Sequence, residues 1–169
     1  MPRVHPTLRE QALALIKGLE TGIADADEVV AWADDVITDS PQPDVAVCEV
    51  SLMRNEARST IASTLRLVEG EEPRAQVIRG LLIERLLDRH AAGKISARRL
   101  ARWVFEDAIS DEEGWGDLCS EALSYDDALD LEQHRIYGTF SVDASVMLDF
   151  LERAAARWLQ DEDSPPASG

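Results

Sequence analysis

Long apolar runs are missing. No stretch of 18 apolar residues occurs among the 169, and a bilayer core needs about 20 in a row, so no membrane-spanning helix is expected. The opening segment MPRVHPTLRE has no apolar centre and does not read as a secretory signal. Cysteine is scarce: Cys48 and Cys119 stand 71 residues apart. Without a CxxC there is neither a zinc ribbon nor a redox pair, and two small reduced core thiols in a cytoplasmic protein are expected. Lysine is nearly absent too, since only Lys17 and Lys94 stand among 17 basic residues, the bias of a GC-rich bacterial genome. The phosphate cradles GxxxxGK(S/T) and GxGxxG and the nucleophile elbow GxSxG do not occur. His5, His90 and His134 are isolated, and no Glu and His pairing recurs as a di-iron bundle needs. No enzymatic activity, cofactor or metal is expected.

What the chain has in excess is negative charge. Acids outnumber Lys and Arg 33 to 17, for a net charge of −16 and a pI near 4.4. Phosphate backbones and anionic lipid should repel it, and a basic protein should be drawn to it. The hydrophobic fraction of 45% is enough for a buried core and excludes wholesale disorder.

The apolar residues recur at helical spacing. Thr7-Leu8-Arg9-Glu10 is a capping box, in which the threonine oxygen takes an orphan amide and the glutamate reaches back. Leu8, Ala12, Leu15, Ile16 and Leu19 follow on one face, and Gly18 and Gly22 flank the exit. Asp25-Ala26-Asp27-Glu28 opens a second helix bearing Val29, Trp32, Ala33, Val36 and Ile37, ended by Ser40-Pro41-Gln42-Pro43. Asp44 caps a third through about Met53, although Val45–Val50 is β-branched enough for a strand. Further helices are predicted over 55–68, 74–90 and from Ser96, then two short ones over 113–123 and 124–137, and a last one over 141–159 capped by Ser141. Residues 161–169, DEDSPPASG, should be a disordered tail. The fold class is therefore all-α: a single-domain bundle of about seven to nine helices over residues 1–160.

An offset of 71 residues aligns the chain with itself. Leu15 meets Leu86, Gly22 meets Gly93, Trp32 meets Trp103 and Cys48 meets Cys119. Two similar helical units, about 7–68 and 78–139, followed by the final helix, are expected. The charges follow the same division. No Lys or Arg lies between Lys17 and Arg54, where there are nine acids, or between Arg102 and Arg135, where there are eleven. The stretch 54–102 carries eleven bases against six acids. The two acidic windows should converge on one negative face.

Other constellations are weaker. Asp126-Asp127-Ala128-Leu129-Asp130 spells the DDxxD of helical prenyl-chain synthases, but the second acidic motif is missing, and an acidic first turn under a Ser124 cap explains it. The loop Asp111-Glu112-Glu113-Gly114-Trp115-Gly116-Asp117 lacks the alternating acids of a calcium loop. Its glycine-bracketed Trp115 is expected as an exposed aromatic of the type that anchors interfaces, the alternative being a core indole covering a helix end.

Leu15, Gly18 and Gly22, followed by the capped helix with Trp32-Ala33-Asp34, form an L-x-x-G-x-x-x-G and W-A-D pattern. In a small, acidic, all-helical chain it resembles immunity proteins of bacterial toxin systems, over residues 8–60 and more weakly 79–131. The resemblance implies a stoichiometric inhibitor that blocks a basic toxin, such as a nuclease, and no catalysis. The partner-binding residues expected from charge are Asp34, Asp35 and Asp39 in the first window. In the second they are Asp111, Glu112, Glu113 and Asp117, with Trp115 as anchor. The alternatives are a phosphate-mimicking inhibitor of another DNA-binding protein, a helical adaptor or scaffold, and a helical metal-dependent hydrolase. A basic protein partner is expected, and neither nucleic acid nor membrane.

Overall fold

The first helix begins where its capping box places it. Thr7 Oγ1 accepts the Glu10 amide at 3.2 Å and Glu10 Oε2 accepts the Thr7 amide at 2.8 Å, so two orphan donors are satisfied reciprocally. A computed structural model describes residues 3–110, 115, 117–133 and 143–160. Eight helices lie among the described residues, with no strand. They are α1 (Leu8–Thr21), α2 (Ala26–Asp39), α3 (Val45–Ser51), α4 (Arg58–Leu65), α5 (Ala75–Ala91), α6 (Ala97–Ser110), α7 (Asp117–Gln133) and α8 (Ser145–Trp158). The chain is all-α, as its periodicity predicts.

Two compact units, Pro2–Leu82 and Ile83–Gly169, divide the chain within α5. In the first unit α1 packs on α4, and α3 packs on both α2 and α4. Its core is built from Ala12, Leu15 and Leu19 of α1, Val29 and Ala33 of α2, Val47 and Val50 of α3, and Ile61 and Leu65 of α4. Each such aliphatic side chain removed from water stabilises the fold by about 1.5–3 kcal/mol, Ala less. In the second unit α7 packs on α6 and α8. Leu86, Leu100, Val104, Leu151 and Leu159 are buried there.

The 71-residue offset carries over to the backbone. Shifted by 71, α2 falls on α6 residue for residue. Gly22 and Gly93 both take the left-handed conformation, at φ 77° and 68°, where a residue without Cβ is unstrained. The amide of Ile23 bonds to the Gly18 carbonyl at 2.9 Å, and Lys94 bonds to Arg89, at the same positions 71 residues on, at 2.8 Å. Gly18 has a second role, because a Cβ there would lie 2.8 Å from Ala24 Cβ. The correspondence stops at the end of α2 and α6. The proline-containing turn 40–43 leads into short α3 and α4, whereas the second unit continues in the 17-residue α7. The two tryptophans also differ: Trp32 is half-buried with Nε1 donating to Gln11 Oε1 at 2.9 Å, and Trp103 is buried in the Trp cluster described below.

Two boundaries depart from expectation. The region around Ser124 is continuous helix, so Ser124 caps nothing. The last helix starts at Ser145, where Asp143 accepts both the Ser145 amide, at 2.9 Å, and its hydroxyl, at 2.8 Å. Those bonds hold the Asp143 carboxyl below its ordinary pKa. Ser141 and the tail 161–169 lie outside the described residues.

Candidate functional site

The expected partner-binding residues meet different fates. Asp34, Asp35 and Asp39 all sit on α2. Asp35 and Asp39 are exposed and one turn apart. Asp34 is half-buried and pairs with Arg54 at 3.5 Å. Asp111, Glu112 and Glu113 lie outside the described residues; Asp117 opens α7, with its side chain outside them. Trp115 is a correction. It is 2% exposed, and its ring meets Trp103 and Trp158 edge-to-face with centroids 6.1 and 5.7 Å apart. Such pairs are favourable beyond their buried area, so the indole is a core side chain of the second unit and not an exposed anchor.

The arginines of the basic stretch answer the acidic windows. In the first unit Arg58 reaches Asp25 at 3.1 Å and Arg66 pairs with Glu20, alongside the Arg54–Asp34 pair. In the second unit Arg98 holds Asp126 at 2.9 Å and also Asp130, while Arg102 reaches Asp126 at 3.5 Å. The DDxxD run is thus tied to α6 by guanidinium groups, and these carboxylates raise the Arg98 pKa further, Asp130 most. Among the described residues no group of three or more His, Cys, Asp or Glu side chains could hold a metal ion. Half-exposed pairs of this kind contribute little each, but they place the two charge blocks opposite one another.

One carboxylate is buried. Glu10 accepts the Arg74 amide and Nε on Oε1, at 2.9 and 2.8 Å. Its Oε2 takes Arg74 Nη2 at 2.9 Å as well as the Thr7 amide. Burial pushes its pKa up, but the Arg74 side chain, the two amides and the Arg74 charge outweigh this and lower it to about 2. Every lone pair is committed, so Glu10 is a structural tie and is not poised for proton transfer.

In the first acidic window, subtracting the paired and capping acids leaves Asp27, Asp35 and Asp39 on α2 and Glu49 on α3. All four are exposed and none has an ion pair among the described residues. Residues that the sequence reading missed lie beside Glu49. Helix α3 buries Ala46, Val47 and Val50 and turns Val45 outward at 73% exposure, and Leu52 at its C-cap is 85% exposed. Leu67, just past α4, is 65% exposed. Val45, Ala46 and Leu67 line a groove of about 290 Å³ together with Asp44, Glu49 and Glu69. A signal existed in V-A-V-C-E-V-S-L, which carries more apolar residues than one buried face of a seven-residue helix can hold. The chain matches no protein family, no curated protein and no solved structure.

Proposed function

We propose that this protein acts by binding: it captures a cognate bacterial toxin, a basic protein such as a nuclease, and neutralises it by covering the positive cleft, as an immunity protein does. The observation that carries the reading is the set of exposed acids without a counter-ion on α2 and α3, Asp27, Asp35, Asp39 and Glu49. Where arginines answer Glu20, Asp25 and Asp34 and capping occupies Glu28 and Asp44, a remainder left open on two packed helices suits an external cation. Charges of this kind steer association and fix partner choice. The test is growth rescue. Co-expression with the toxin encoded beside it should restore growth, and Asp35→Lys with Asp39→Lys should slow association roughly tenfold and flatten its salt dependence. Failure of the wild-type chain to rescue any neighbouring toxin, or an unchanged association rate in the double variant, would refute it.

A further inference from the structure

We infer that the groove beside α3 is a docking site for a cationic amphipathic segment of a protein partner, one that inserts an aliphatic side chain while its Lys or Arg residues meet the groove's carboxylates. This rests on the reading of the chain as a binder of basic proteins, and it places the contact at a site that the acids of α2 do not form.

Three observations converge. The first is exposure of apolar surface where a short helix has no need of it. Val45 and Glu49 of α3 and Leu52 at its C-cap stand at i, i+4 and i+7, an outward stripe of two aliphatic residues around one carboxylate. Leu67, just past the end of α4, lines the groove with Val45. Val45 and Leu67 border one groove beside carboxylates, so they are not scattered single hydrophobic residues, which would need no explanation. The second is size. At about 290 Å³ the depression lies at the lower limit of small-molecule pockets and suits one or two side chains of a peptide. The third is charge. No basic residue lines the groove. Asp44 is occupied in capping, accepting the Ala46 amide at 2.8 Å and the Val47 amide at 3.4 Å. Glu49 and Glu69 are exposed and have no ion pair among the described residues. The whole stretch Pro2–Leu82 has 14 acids against eight Lys and Arg. Exposed aliphatic side chains beside two carboxylates without an ion pair select against acidic and neutral peptides and for an apolar side chain flanked by cations, the pattern of a helix laid in a groove.

The probe is a fluorescently labelled amphipathic helix with leucines on one face and lysines on the other. Its control has equal charge with serine in place of leucine, and both are titrated against the full chain by anisotropy. The leucine peptide should bind with one-to-one saturation at least tenfold more tightly than the serine control. Val45→Ser with Leu67→Ser should lose that tenfold difference; both sites are exposed, so the fold should stand, as the unchanged far-UV circular dichroism spectrum will show. Glu49→Lys with Glu69→Lys should weaken binding of both peptides and flatten its salt dependence. Asp35→Lys with Asp39→Lys on α2 should leave the leucine preference intact. Equal affinity for the two peptides, or a leucine preference that survives Val45→Ser with Leu67→Ser, overturns the inference. So does a sedimentation result in which the wild-type chain is a dimer and that variant a monomer, because the groove then belongs to a second copy. The peptide titration needs no toxin, so its failure and a failure of growth rescue are separate results.

Discussion

Replacing Glu10 by Gln should destabilise the protein by roughly 3 kcal/mol at neutral pH and remove part of its sensitivity to acid. The magnitude follows from the carboxyl's surroundings. In the folded chain its pKa is lowered from 4.5 to about 2, and each unit is worth about 1.4 kcal/mol of preference for the ionised form. Because the folded value lies below the unfolded one, the unfolded chain takes up a proton first as pH falls. The contribution is therefore complete above about pH 4.5 and drains away as pH drops through about 2. Glutamine keeps the shape but brings a donor to Oε2, where Arg74 Nη2 and the Thr7 amide both donate at 2.9 and 2.8 Å. Both of those donors then lose their acceptor. The assay is urea unfolding by circular dichroism at pH 7, 3.5 and 2.5 for both proteins. Other acids titrate in the same range, but they are common to both curves, so the difference isolates Glu10. The gap should be widest at pH 7 and close toward pH 2. Equal midpoints at pH 7, or a gap that persists undiminished at pH 2.5, would refute the argument. Arg74→Ala supplies the complement, since it leaves a buried carboxylate without its cation and should cost about 3–5 kcal/mol.

Gly18→Ala should lower stability by about 1–3 kcal/mol, because the new methyl lies 2.8 Å from Ala24 Cβ. Gly93→Ala meets nothing within 4 Å and should cost only the left-handed backbone strain, about 1–2 kcal/mol; thermal unfolding of the two variants compares them. Trp115→Ala should cost about 3–5 kcal/mol as a large-to-small core change, read by urea unfolding, and any loss of partner binding should track the fraction unfolded.

Local signals in the sequence were legible, and distant ones were not. The caps at Thr7, Asp44 and Ser96 and the glycines at 22 and 93 act within a turn of the chain, so the bounds of the first helices follow from them. The β-branched run 45–50 is helical because Asp44 caps it and Ala46, Val47 and Val50 bury a face, a tertiary gain that overrides propensity. The partners of Glu10, Glu20, Asp25 and Asp34 stand 64, 46, 33 and 20 residues away, beyond the reach of any pattern in the chain. The acidic windows therefore looked wholly uncompensated when several of their carboxylates face arginines. Ser124-Tyr125-Asp126 reads as a helix start, but Arg98 and Arg102 hold Asp126 against α6 and the helix runs through. Trp115 misled for a related reason: glycines and acids surround it in sequence, while Trp103 and Trp158 surround it in space.

The four indoles are partitioned one to three. Trp32 stands alone in the first unit, bonded to Gln11, and Trp103, Trp115 and Trp158 stack edge-to-face in the second. Coupled indoles at such spacing give an exciton couplet from their strong far-ultraviolet transition that an isolated indole does not. The protein thus carries two separable optical reporters without any label. In the variant Trp32→Phe, all fluorescence comes from the second unit, and the exciton band is unchanged. Comparing that emission with the far-ultraviolet melting curve reveals whether the two units unfold in one step or two.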